Sequence, residues 1–265
     1  MSADQTFQGV VDRYNGITVD SKDEPCDQNQ FLTQLIISLR KWDDEQKRCI
    51  WFKVHIKDAA WVPVLANEGF NFHHSRDNFV MMYKWLLKNR KANLPPASHT
   101  NLGVGGLVCN DNNEILVVTE KHFEYAHWKL PGGYVERGED IKHAAIREVK
   151  EETGVDAVFE SMITLRHTHN AMFGNSDIYI VVMLKAITTD ITKSEEEIKD
   201  CKWMKIDEYL NHPHAHEFNR FIVKQALQLN ENNIKLNLLK SNVTISSWSR
   251  DITSLVVDVS SEHQQ

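Results

Sequence analysis

The sequence predicts an α/β protein built from two units of unequal size. Three observations predict it. Alternating and helical apolar patterns follow one another along the chain instead of falling into separate blocks. Adjacent prolines, Pro95 and Pro96, interrupt the pattern inside a polar stretch and mark a linker. A glycine-rich loop at 132–138 runs straight into a helix-forming stretch at 144–153 that is crowded with glutamate.

In chain order, residues 10–19 read as a strand, and a polar stretch with Pro25 follows. Residues 31–42 place Phe31, Leu32, Leu35, Ile36 and Leu39 at helical spacing. Residues 49–56 alternate as a strand. Asp58 is placed to cap a second helix running to Asn67, Gly69 ends it, and residues 79–87 read as another strand. This order describes a small α/β unit. It holds no phosphate-binding glycine loop and no clustered acids, and His73 and His74 read as packing or surface residues.

After the linker, residues 103–109 and 114–119 form a hairpin about the turn Asp111-Asn112-Asn113. Trp128-Lys129-Leu130-Pro131 leads into the glycine loop. Asp140 is placed to cap the acidic helix, and Gly154 sits where a left-handed C-terminal cap belongs. Residues 158–168 and 177–187 read as strands, 201–206 as a short strand, and 218–229 as a helix. The expected domains are therefore 1–92, a linker at 93–100, a larger unit at 101–235, and an extension at 236–265 with no legible role.

Composition bounds the function. With 265 residues, 42% hydrophobic and 25% charged, the chain is an ordinary globular protein able to bury real cores. Its net charge is -7 and no basic stripe runs through it, which argues against duplex nucleic acid as the main partner. Cys26, Cys49, Cys109 and Cys201 form no close pair and no metal spacing with histidine, as expected of reduced thiols inside a cell. The first eight residues lack the apolar core of a secretory signal and the arginines of a transit peptide, and no apolar run reaches membrane-spanning length. The expected location is the cytoplasm, with the nucleus left open.

The chemistry concentrates in the acidic helix. Glu148, Glu151 and Glu152 stand at i, i+3 and i+4 and share one helix face. Like charges at this spacing repel by a few tenths of a kcal/mol per pair, roughly, and a helix tuned for stability alone would interleave lysines. Two readings stand: a solvated acidic face, or a set of hard oxygen ligands for Mg²⁺ or Mn²⁺.

The surrounding residues decide which precedent applies. Gly133, Glu139, Arg147, Glu148, Glu151, Glu152 and Gly154, with Val149 and Val155, follow the spacing Gly-x5-Glu-x7-Arg-Glu-hydrophobic-x-Glu-Glu-x-Gly-hydrophobic. This resembles the Nudix box at every defined position. The resemblance implies a Nudix α/β/α sandwich beside a smaller α/β N-terminal domain, and an Mg²⁺-dependent hydrolase of nucleoside-linked pyrophosphates, with Mn²⁺ as the other candidate ion. It implies that Glu148, Glu151 and Glu152 ligate the metal, that the Gly132 carbonyl adds a ligand, and that Glu139 and Arg147 brace the loop. Gly69-Phe70-Asn71-Phe72-His73-His74, Trp128 to Gly133, and Ser176-Asp177-Ile178-Tyr179 are similar to the subgroup with a pre-Nudix domain. That subgroup contains plant ADP-ribose/NADH pyrophosphatases and the animal Nudix protein encoded antisense to basic fibroblast growth factor.

Further candidates surround the box. Glu197, in the acidic run before Trp203, is the expected additional acid; a family acid directly before that tryptophan is replaced by Lys202. Trp128 and Phe123 are candidates to stack on a base, against the alternative of core packing. His169 and Phe173 are candidates for phosphate and base, against a plain polar turn. His212-Pro213-His214-Ala215-His216 reads as a surface loop. No proline lies between Pro131 and Pro213, and Asn170 stands where one ADP-ribose subgroup carries a proline. The expected substrate, from the subgroup resemblance, is ADP-ribose or NADH, with coenzyme A a further option. A homodimer is allowed. The competing class is a weakly active or inactive Nudix-fold binding protein that acts through its N-terminal domain.

Overall fold

A computed structural model describes residues 6–122, 125, 127–245 and 248–258, and the chain divides into two units, 1–98 and 99–265. The N-terminal unit is a five-stranded sheet ordered β1-β2-β3-β5-β4. Its strands are β1 (Val10–Val11), β2 (Ile17–Asp20), β3 (Cys49–His55), β4 (Asn71–Arg76) and β5 (Phe79–Trp85). Helices α1 (Gln28–Asp44) and α2 (Trp61–Asn67) connect them. β2 and β3 are parallel. The first predicted strand is broken: the Asp12 carboxylate accepts from the amides of Tyr14 and Gly16, at 2.7 and 2.9 Å, and folds residues 12–16 into a turn. Asp58 does not cap α2; residues 56–58 form a 3₁₀ turn and the helix starts at Trp61 behind Ala60. β4 escapes the sequence pattern because its residues are mostly polar and its two faces are not distinguished by hydropathy. The core is aromatic. Phe31 stacks on Trp61 with centroids 4.2 Å apart, and Phe7 and Phe52 close around them.

The second unit is a six-stranded mixed sheet with helices on both faces. Its strands are β6 (Thr100–Cys109), β7 (Glu114–Glu120), β8 (Gly132–Tyr134), β9 (Ala157–Thr168), β10 (Ser176–Ala186) and β11 (Ile198–Lys205). The order is β11-β7-β6-β10-β9, with β8 paired to β6. β6 and β10 are parallel over ten register pairs, starting at Thr100↔Ser176. The predicted hairpin of β6 and β7 closes only at its turn, through Cys109↔Ile115. Beyond that pair, residues 128–134 come between the two strands: Lys129 bridges Val118, and Gly132 pairs with Gly105. This insertion brings the glycine loop to the sheet.

Side chains alternate along the strands and split the core in two. On one face Val104, Val108, Val182 and Leu184 pack with Ala144, Ala145 and Val149 of α3 (Ile141–Thr153). On the other, Leu107, Ile115, Val117 and Val181 pack with α4 (Ile206–Asn211) and α5 (Glu217–Glu231) through Tyr209, Ile222 and Val223. α3 can lie close because β6 carries Gly106 beneath it: an added Cβ there would fall 2.7 Å from Val149 Cγ2. The fully buried Val149 contributes about 1.5–3 kcal/mol of burial. α3 starts three residues before the predicted stretch, where the Asp140 side chain accepts from the Lys142 amide at 3.0 Å. It ends at Gly154, whose φ of 74° takes the left-handed cap.

The chain after α5 forms a hairpin that the sequence pattern did not disclose, β12 (Lys235–Ile245) with β13 (Trp248–Asp258). Leu238 is buried in the α3-side core, and the Leu236 amide donates to Ser161 Oγ at 3.0 Å. Thr253 Oγ1 donates to Asp140 Oδ2 at 2.6 Å, so the hairpin meets the cap of α3. Among the described residues no helix is long and apolar enough to cross a membrane.

Candidate active site

The glycine loop and α3 meet over the edge of β6. Arg147, half-buried, is the hub. Its Nε and Nη2 donate to the two oxygens of Glu139 at 2.8 and 2.9 Å, and Nη2 also reaches the Tyr134 carbonyl. Its Nη1 donates to Glu148 and Glu151 at 2.8 and 2.9 Å. The Glu139 carboxylate, held by this fork and by the Glu136 amide, lies below its ordinary pKa range.

Glu148 and Glu152 face inward and Glu151 faces outward. Glu152 is only 5% exposed, while the Glu151 side chain is 59% exposed. Gly132 donates its amide to Glu152 Oε2 at 3.0 Å. Gly133 lies so close to Glu148 that an added Cβ would fall 2.5 Å from Oε2. Burial pushes Glu152 up to about 7; Lys129 and the Gly132 amide oppose the shift, and the Glu148 and Glu120 charges add to it. Burial also raises Glu148, with Glu151 and Glu197 as like charges and Arg147 opposing. Glu197 and Glu120 line the same recess as Glu148 and Glu152.

Beside this recess opens a cleft of about 1030 Å³. Its floor is the α5-side face of the sheet, with Gly103, Arg166 and Tyr179, and its far wall is the start of α5 with Phe218 and Arg220. Arg166 sits 5.0 Å from the Tyr179 ring centroid and 5.3 Å from that of Phe218, and pairs with Asp177 at 3.1 Å. The cleft therefore offers cationic and aromatic surface next to a recess of carboxylates, the two surfaces a nucleotide diphosphate and its counter-cation require.

The comparisons with known proteins agree with this architecture. A Nudix hydrolase domain model matches residues 7–86, and a NUDIX domain model matches residues 99–225. Nudix hydrolase 2 of Arabidopsis thaliana is 38% identical over 212 residues, which cover 79% of this chain and 76% of that protein. The chain belongs to the Nudix hydrolase family. Nudix hydrolase 8 of the same plant is 37% identical over 76% of this chain, and the match spans only 56% of that longer relative. Nucleoside diphosphate-linked moiety X motif 6 of Homo sapiens is 34% identical over 210 residues, 76% of this chain and 66% of the human protein. Among solved structures, the MutT protein of Methanosarcina mazei Go1 is 23% identical with a TM-score of 0.44, covering 51% of this chain and 97% of that one.

Nudix hydrolases generally use divalent metal ions, and the donor set here suits one. Glu152 is a buried and Glu148 a half-buried carboxylate, both raised by desolvation and by neighbouring negative charge, a strain that a hard cation relieves. Among the described residues no three such groups already converge as a metal cage; Glu148 and Glu151 both accept from Nη1 of Arg147 instead.

The other sequence candidates scatter. Trp128 is 9% exposed, sits in the hydrophobic core under Lys202 and does not line the cleft, so it packs instead of stacking on a base. Phe173 is 92% exposed at the tip of the β9–β10 connection with φ at 59°, and neither it nor His169 lines the cleft. Phe123 lies outside the described residues. The histidine loop lies at the surface, as its sequence suggests, and its exposed His214 and His216 line the cleft wall. Glu120 and Tyr179 also escaped notice as site residues, for they sit at strand positions whose facing only the sheet register reveals.

Proposed function

We propose that this protein hydrolyses the pyrophosphate bond of a nucleoside diphosphate derivative with Mg²⁺, and that ADP-ribose or NADH is its substrate. The observation that carries the reading is the pair of carboxylates, buried Glu152 and half-buried Glu148, held against the backbone of Gly132 and Gly133 in the recess beside the large cleft. In this reading Glu148, Glu151, Glu152 and the Gly132 carbonyl hold the ion. A bound divalent cation neutralises phosphate charge and lowers the pKa of an attacking water.

The chain supplies the rest. Arg147 and Glu139 fix the loop so that the glycines and glutamates keep their spacing. Glu197, on the recess wall, is the residue assigned to take a proton from water. The aromatic and cationic residues of the cleft orient the nucleoside and its phosphates. ADP-ribose and NADH rank first because the chain resembles the pre-Nudix subgroup, with coenzyme A behind them.

The test is turnover of ADP-ribose, NADH, coenzyme A, diadenosine polyphosphates and oxidised nucleoside triphosphates with Mg²⁺, run beside Glu152→Gln. One substrate cleaved far faster than the rest by the wild type alone supports the reading. A folded wild type that cleaves none of them refutes it and turns attention to binding through the N-terminal domain.

A further inference from the structure

β6 carries glycine at 103 and 105, two residues apart and so on the same face, the face that floors the cleft. β10 runs parallel beside it and pairs Tyr179 with Gly103. The Tyr179 ring lies in the trough these glycines leave. An added Cβ at Gly103 would fall 2.9 Å from ring Cδ2, and one at Gly105 would fall 2.2 Å from the hydroxyl oxygen. Arg166 covers the ring from the cleft side at 5.0 Å, and Asp177 fixes Arg166. The ring is thus held on both sides before any ligand arrives.

The hydroxyl ends beside the box. Gly105 is also where Gly132 packs: an added Cβ at Gly132 would fall 2.7 Å from Gly105 Cα. The Gly132 amide in turn holds Glu152. Tyr179 therefore points along the sheet to the backbone that carries the buried carboxylate, whose charge it feels. A tyrosine buried for packing gives its hydroxyl a protein partner, as Tyr209 does with the Trp128 carbonyl at 3.1 Å. Tyr179 has no such partner among the described residues, and it lines the cleft. Burial lifts its phenol above the usual range, so it remains a neutral donor.

We propose that Tyr179 is a substrate-contacting residue whose hydroxyl donates a hydrogen bond to an oxygen of the bound diphosphate, with Gly103 and Gly105 as the seat that aims it. This rests on the hydrolase reading above. It gives β6 a role in the chemistry: the glycines are there to admit a phenol.

The experiment compares the full-length wild type with Tyr179→Phe, Gly105→Ala and the double variant. kcat and KM are measured for ADP-ribose and NADH with Mg²⁺, and affinity for α,β-methylene-ADP is measured by calorimetry. Tyr179→Phe keeps the ring and is expected to keep the unfolding temperature, yet to lower kcat/KM by about 10–100-fold, as for a lost hydrogen bond to a charged oxygen. Gly105→Ala displaces the same hydroxyl, so the double variant is expected to be no worse than the poorer single variant. Should Gly105→Ala fail to fold, Tyr179→Phe decides alone. Turnover and affinity of Tyr179→Phe within about threefold of wild type, or multiplicative losses in the double variant, overturn the inference while leaving the hydrolase reading intact. A wild type that neither cleaves nor binds any of these nucleotides overturns both.

Discussion

Arg147 grips Glu139 with two parallel hydrogen bonds, 2.8 Å from Nε and 2.9 Å from Nη2, and so ties the glycine loop to the helix that follows it. The same guanidinium reaches Glu148 and Glu151, which makes it the counter-charge of the acidic face. Arg147→Lys keeps the charge and loses the fork. We expect it to cost about 1 kcal/mol of stability, since the pair is partly solvated, and to lower turnover more than it lowers the denaturant midpoint. Equal residual turnover in wild type and variant would remove Arg147 from the site.

Glu152→Gln replaces a buried carboxylate by a neutral group of the same size. The Gly132 amide keeps an acceptor, so the fold is expected to stay intact by circular dichroism. Turnover is expected to drop by roughly 10²-fold or more, the scale of losing one preorganised electrostatic group. Wild-type turnover by this variant refutes its role.

Asp20 in the N-terminal unit sets an acid limit on that unit. Burial pushes its carboxyl up, but the Lys53 ammonium at 2.8 Å and the Lys22 amide outweigh burial and hold it below its ordinary value of 3.8. A lowered carboxyl stabilises the fold above the unfolded-state value and loses that contribution as pH falls through the folded-state value. Asp20→Asn is therefore expected to lower the unfolding temperature at pH 7 and to narrow that deficit below about pH 4. A deficit that is constant from pH 7 to pH 3 counts against the pairing.

The thiols are expected to be inert in the native protein. Burial pushes Cys49 and Cys201 up to about 12 and Cys109 up to about 11, and it raises Cys26 as well. Thiolate is the reactive form, so a disulfide reagent at pH 8 should titrate the four thiols slowly before denaturation and rapidly after it. Rapid native labelling of Cys49 would contradict its burial.

Thr253→Val removes the hydroxyl that meets Asp140, at a cost of about 1 kcal/mol for one hydrogen bond to a carboxylate. Asp140→Ala loses that bond and the helix cap together, and is expected to be the more damaging of the two. Hydrogen exchange at the first turn of α3 should rise in both variants.

What the sequence disclosed follows the range of the interactions. α3 was legible because its signals are local: Asp140 caps, Gly154 terminates, and the glutamates between share a face. The layers were legible from strand and helix periods. The insertion of residues 128–134 between β6 and β7 was not, because a hairpin turn at 111–113 says nothing about what lies between the strands beyond it. The cleft was hidden for the same reason. Arg166, Tyr179 and Phe218 come from two strands and a late helix, and only the register of β10 on β6 and β9 brings them together. Trp128 misled because aromatic character marks core and ligand surface alike, and burial decided for core.

The contact between Thr253 and Asp140 spans 113 residues of chain. On the ribosome, synthesis runs from the N-terminus, so the acidic helix emerges long before the strand that braces its start. The aromatic core of the first unit uses only residues 7–82 and can close early. The acidic helix can cap itself through Asp140 and Lys142, but the second oxygen of Asp140 must wait for the last described strand to gain its partner. Truncation of the hairpin would thus leave a finished first unit attached to a second one whose acidic helix keeps its own cap but loses the hydroxyl that braces it.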